Sequence, residues 1–196
     1  DLGALREPML RIFGEMSKAH ATLTNADKRR EYDASLALTE RGVPTDVRAI
    51  FQADDAFRAG KRLLERGAYQ EARRQLQAAI ELNRTEPEYW AHLHWAEFGC
   101  LDTDAAGLPA SPGEVKRLTD KLHTIARDHE HCWAAHMFLG HIARSTGDES
   151  TAERHYKRVL ALDGQNVEAT SSLRLLHKRK EARNTGFFAR IFGPKR

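Results

Sequence analysis

Apolar positions recur at i, i+3, i+4 and i+7 through most of this chain, the spacing that lines one face of an α-helix. The run from Ala53 to Leu82 superimposes without a gap on the run from Trp133 to Leu162, at an offset of 80 residues. Gly60 falls on Gly140, Gly67 on Gly147, Ala72 on Ala152 and Leu82 on Leu162, while Leu76 and Ala79 fall on Tyr156 and Val159. This pattern predicts two helices joined at Gly67 or Gly147. Small residues are expected where the two cross closely, Gly60 against Ala72 and Gly140 against Ala152. Between the two copies, Pro87–Phe98 predicts one helix and Glu114–Asp128 another, the second with Leu118, Leu122 and Ile125 as its stripe. The intervening GCLDTDAAGLPASPG is a loop by composition. Ser111 is placed to cap the second helix, with Glu114 reaching back. Beyond Asn166 a further helix presents Val167, Leu173 and Leu176 inward and a basic outer side, as expected of the element that closes a repeat array.

Each of these units resembles a tetratricopeptide repeat, with its small residues, turn glycine and loop proline. A repeat of about 34 residues would place the two matching runs about 68 apart, so the middle unit is about 12 residues longer. The implied fold is all-α, an array of about three helical hairpins with a capping helix.

Two more helices are predicted ahead of the array, from about Glu7 to Leu23 and from Ala26 to Leu38, the second capped by Thr24 or Asn25 and favoured by Asp27 in its first turn. Phe13, Met16, Ala19, His20 and Leu23 form the apolar face of the first. Phe13, the Ala19-His20 pair, Leu23 and then Lys28, Arg29, Arg30, Tyr32 and Asp33 of KRREYD resemble the third and fourth helices of a J-domain, the module of the DnaJ family. His20 stands where that family has Tyr. The resemblance implies packing at the end of such a domain and, through a preceding His-Pro-Asp loop, action on a DnaK-type chaperone. None of the six prolines here follows a histidine, so the chain as it stands is not expected to stimulate a chaperone by itself.

These boundaries divide the chain into a J-domain-like segment at 1–40 and a linker at 41–46, RGVPTD. The array follows at 47–182, with its insertion at 99–113 and capping helix at 167–182, and a basic aromatic tail occupies 183–196.

Charge changes the picture in one respect. Eight Lys/Arg against one acid from Arg174 to Arg196 give +7, leaving −4 for the rest of a chain whose total is +3. A nucleic-acid-binding body would carry a basic face of its own, so no nucleic-acid partner is expected. Hydrophobic content of 41% with 30% charged residues suits a folded, helix-rich protein. No stretch approaches the roughly 20 apolar residues of a membrane span, and no secretion signal opens the sequence, although the chain begins at Asp1 without a Met. Two cysteines, Cys100 and Cys132, make no framework and fit a reducing cytoplasm.

Candidate chemistry is sparse. There is no GxSxG, Gly-rich phosphate loop or HExxH, and no catalytic residue, cofactor or enzymatic activity is expected. His129, His131, Cys132, His136 and His141 invite a zinc reading, but no paired CxxC accompanies them, and surface or groove histidines are the expectation, with no metal. Cys100, in the insertion, could be an exposed thiol that nothing nearby activates.

In arrays of this type the first helix of each unit lines a concave groove. That maps Asp54, Phe57, Lys61 and Leu64 there from the first unit, Glu88, Ala91 and Trp95 from the second, and Ala134, Met137, His141 and Arg144 from the third. Some related arrays grip a chaperone's C-terminal carboxylate with a Lys/Asn/Arg clamp. Only Lys61 matches such a clamp in charge, with Phe57, His92 and Phe138 at other clamp positions, so a mixed apolar groove for a peptide is expected instead. In the tail, Phe187, Phe188, Ile191 and Phe192 share one helical face with Arg183, Arg190 and Lys195 around them, a pattern suited to docking or to weak contact with an anionic membrane. The expected function is a cytoplasmic interaction scaffold for a protein or peptide partner within a co-chaperone-like protein. The alternative is a membrane-associated signalling or assembly adaptor with a vestigial J-like segment.

Overall fold

Most breaks between the helices fall at glycines or prolines, while those at Asn25 and at residues 129–132 contain neither. A computed structural model describes residues 2–43 and 47–192, with side chains described over 6–43 and 48–182. Its helices are α1 (Leu2–Thr24), α2 (Ala26–Glu40), α3 (Val47–Glu65), α4 (Tyr69–Leu82), α5 (Pro87–Gly99), α6 (Pro112–Asp128), α7 (Trp133–Ser145), α8 (Glu149–Leu162) and α9 (Val167–Phe192). From α3 onward each helix packs on the next, and α5 also touches both α3 and α7, so the first helices of successive hairpins line one side. The array of tetratricopeptide-like hairpins is therefore present.

Gly67 and Gly147 close the α3–α4 and α7–α8 turns at φ 72° and 85°, a left-handed conformation that only glycine adopts freely. Gly60 and Gly140 let the paired helices approach. A Cβ on Gly140 would sit 2.5 Å from the Tyr156 ring, and one on Gly60 would sit 2.8 Å from Leu76. Leu76 and Tyr156 come nearest, one turn beyond the alanines that the sequence pairs with these glycines, and a Cβ on Gly60 would also lie 3.6 Å from the Ala72 carbonyl oxygen, as that pairing expects.

The core falls into two clusters. Ala53, Phe57, Leu76, Ala79 and Leu93 anchor one, and Leu122, Met137, Leu139, Tyr156 and Leu173 anchor the other. Helix α5 supplies both, with Tyr89, Leu93 and Ala96 on one side and Ala91 on the other, which is why it is apolar nearly all round.

The capping box expected at α6 does not form. Ser111 occupies the N-cap position without a side-chain bond, and Glu114 pairs instead with Arg117 at 2.7 Å. The insertion folds on Asp104, whose Oδ1 accepts from the Ala106 and Leu108 amides at 2.9 Å. It lies at the C-terminal end of α5, where Leu108, Pro109 and Thr146 of the α7–α8 turn line one shallow hollow.

Ahead of the array, Asn25 caps α2 by accepting from the Asp27 and Lys28 amides. Neither α1 nor α2 is buried against the repeats. Phe13 is 72% exposed, Leu23 50% and Tyr32 49%, where the J-domain resemblance implies packing. Arg29 lies 3.9 Å from Asp33, and Arg30 pairs with Asp27. The segment meets the array at Gly42, whose carbonyl accepts from the Arg84 amide at 3.1 Å. Helix α9 continues past residue 182 to Phe192. The side chains of Phe187, Phe188, Ile191 and Phe192, like linker residues 44–46, lie outside the described residues. No helix among the described residues is long and apolar enough to cross a membrane.

Candidate functional site

The first helices of the hairpins bring together a cleft of 310 Å³. Lys61, Leu64 and Glu65 of α3, His92 and Trp95 of α5, Trp133, Met137 and Phe138 of α7, and Glu168 of α9 line it. Its wall is a row of rings. His92 meets Phe57 and Phe138 edge-on, each at 4.9 Å between centroids, and Trp95 lies stacked between Phe138 and Phe98 at 5.4 Å from each. Edge-on and offset-stacked contacts of this kind fix each ring against its neighbours.

His92 is buried, and its Nδ1–H donates to the Glu88 carbonyl at 2.8 Å. Burial pushes its pKa down to about 4, so it presents no charge to the cleft near neutral pH. At the rim, Lys61 lies 3.9 Å from Glu88 and 5.4 Å from the Phe57 ring centroid. Partial burial raises the Glu88 carboxyl. At the far end His141 bridges Tyr156 and Glu168, and the bond from His141 holds the Glu168 carboxyl below its usual range.

Of the residues mapped to the groove from sequence, Lys61, Leu64, Trp95 and Met137 line this cleft. Phe57, Ala91, Ala134 and His141 are buried behind it, Phe57 in the aromatic wall. Asp54, paired with Arg58, and Arg144 are half-buried outside its lining. Glu65, Trp133 and Glu168 line the cleft too, at positions that the repeat mapping does not assign to the groove. Trp133 opens α7 and Glu168 begins α9, positions whose reach into a groove depends on how neighbouring repeats stack.

Beside the cleft, across Trp133, lies an open pocket of 560 Å³ at the N-terminal ends of α5 and α7, lined by Glu86, Glu88, Asp128 and Glu130 among others. The two spaces share Trp133 as a wall and are linked by the Lys61–Glu88 pair.

The histidines weighed for zinc do not converge. His129 and His131 are exposed in the turn before α7, Cys132 is buried at its N-cap, and His141 is taken up with Tyr156 and Glu168. His136 instead meets His155 of α8 at 3.2 Å, with His123 of α6 against the same ring. Among the described residues no group of three His, Cys, Asp or Glu is arranged to hold a metal ion. His94, also on α5, pairs with Glu97 at 3.0 Å. Cys100 is half-buried, and burial pushes its thiol up, away from nucleophilic activation.

No family model matches the chain, and no curated protein matches it. Among solved structures, the chain is similar to the first TPR of Spaghetti (RPAP3) bound to the HSP90 peptide SRMEEVD, at 17% identity over 67% of this chain and 95% of that one, with a TM-score of 0.47. It is also similar to MamA, at 20% identity over 67% of this chain and 70% of that one, with a TM-score of 0.45.

Proposed function

We propose that this chain is a non-enzymatic scaffold that holds a peptide or protein partner in the cleft between α3, α5 and α7. The observation that carries the reading is the ring row Phe57–His92–Phe138–Trp95, which leaves Trp95 and Trp133 part-exposed beside Leu64. Fixed aromatic surface offers contact area at little ordering cost, which favours binding over a surface that must first be organised. A displayed random-peptide library panned on the protein tests it. Selected peptides should lose binding to a folded Leu64→Ser/Trp95→Ala variant, with helicity checked by circular dichroism. Equal binding to wild type and variant puts the site elsewhere.

In the full-length protein we read residues 1–40 as part of a J-domain that couples the bound partner to a DnaK-type chaperone in the cytoplasm. KRREYD ahead of the repeats supports this reading. An upstream gene sequence without a His-Pro-Asp loop at the matching distance removes it. The charge concentrated in the tail favours a second reading, a membrane-associated adaptor. Tail-dependent sedimentation with anionic vesicles tests that one.

A further inference from the structure

The cleft rim is acidic in a way that specifies its ligand. Glu65, Glu86, Glu88, Asp128, Glu130 and Glu168 ring the cleft and the adjoining pocket, and Lys61 is the only Lys or Arg among the residues lining either. Lys61 is already opposed by Glu88, Asp128 pairs with Arg127, and Glu168 bonds His141. Among the described residues, no ion pair engages Glu65, Glu86 or Glu130. Between these carboxylates lies the apolar floor of Trp95, Trp133, Met137 and Phe138. An occupant that satisfies both features carries several cationic side chains and large apolar ones, and no acid.

Residues 183–196, RNTGFFARIFGPKR, have that composition, with four Lys or Arg, three Phe, one Ile and no acid. We infer that the cleft receives this C-terminal segment from a second copy of the chain. The second copy follows from where α9 runs. It begins at the cleft with Glu168, and by Ala182, the residue that precedes the segment, it has run about 22 Å, so the segment starts well away from the cleft of its own chain. Each copy then offers one cleft and one tail, a heterologous contact that propagates from copy to copy. This rests on the cleft being a binding site and names what binds there. Opposite charge on the two surfaces speeds encounter and makes the contact salt-dependent.

Sedimentation velocity on the full chain tests the inference, with two variants. Glu86→Lys/Glu130→Lys reverses rim charges outside the core, and Phe188→Ala/Arg190→Glu spoils the tail. Wild type is expected to form concentration-dependent assemblies that weaken with added salt. Each variant alone should lose association at least tenfold. An equimolar mixture of the two should recover a single 1:1 complex and nothing larger, because one intact cleft and one intact tail remain. Assembly that survives in both variants, a monomeric wild type, or a tail that binds anionic vesicles without chain–chain association overturns it. If library-selected peptides occupy the cleft while a synthetic 183–196 peptide does not, the inference fails and the scaffold reading stands.

Discussion

The Tyr156 hydroxyl lies 2.9 Å from Nδ1 of His141, joining α8 to α7 beneath the cleft, while the same imidazole reaches Glu168 of α9 through Nε2. With Nε2–H donated to the carboxylate, Nδ1 accepts from the phenol, so one ring fastens three helices. Both Tyr156 and His141 are buried. Tyr156→Phe keeps the packing and leaves a buried nitrogen without a donor, which should cost about 1–3 kcal/mol. Urea unfolding should show a lower midpoint at unchanged slope, and an unchanged midpoint would show that the bond contributes nothing net.

Gly140 and Gly113 predict opposite outcomes for the same substitution. A methyl on Gly140 enters the Tyr156 ring, so Gly140→Ala should destabilise by about 1–3 kcal/mol through overpacking. Gly113, in the first turn of α6, has open space around its would-be Cβ. Gly113→Ala should stabilise by up to about 1 kcal/mol, through the unfolded chain and helix propensity. Thermal melts of the pair should move in opposite directions.

Three histidines make stability fall with acid. Burial lowers His92 and His155 to about 4, and His155 is further opposed by His136, His123 and Arg154. His136 is lowered by burial and by Arg158 and His123. In the unfolded chain each titrates near 6.5, so for His92 and His155 the unfolded state binds more protons between about pH 6.5 and 4, and His136 acts in the same direction below 6.5. Stability is full above that window and declines through it, by at most about 1.4 kcal/mol per pH unit for each histidine and by less for the half-buried pair. Urea midpoints at pH 7.5 and 5.0 should differ accordingly, and His155→Gln should reduce the difference. A flat profile would remove this role from the cluster.

Truncation to begin at Val43 should leave the array folded, because α1 and α2 bury none of their described side chains. The melting temperature should shift by less than about 4 °C, what about 1 kcal/mol is worth at this size. The truncated protein should also bind less of a hydrophobic dye, since Met9, Leu10, Ile12, Phe13 and Met16 leave with the segment. A large loss of cooperativity would show that the segment supports the repeats.

The hairpins were legible because a repeat states its own geometry twice. Gly67 and Gly147 mark the turns, and the 80-residue offset aligns the stripes. Pairing was less legible. The pattern sets small residues against one another, whereas Gly140 faces Tyr156, and Gly99, the first residue of the expected loop, ends α5 under the Tyr69 ring. Close approach at a glycine is met by whatever bulk fits, and residue type alone does not say which. In the cleft, Lys61, Leu64, Trp95 and Met137 followed from their place in the repeat. The His136–His155 contact and the Glu168 bond join different helices and leave no periodic trace.

Helix α5, shared by both core clusters, has an optical consequence. The chain has three tryptophans. Trp90 and Trp95 stand on α5, and Trp133 faces it from the start of α7. Tryptophan emission, excited selectively at the red edge of the absorption band, therefore comes entirely from this joint. Anything that settles against Trp95 or Trp133 should change its colour or intensity, and the fluorescence of the native chain becomes a built-in gauge of occupancy.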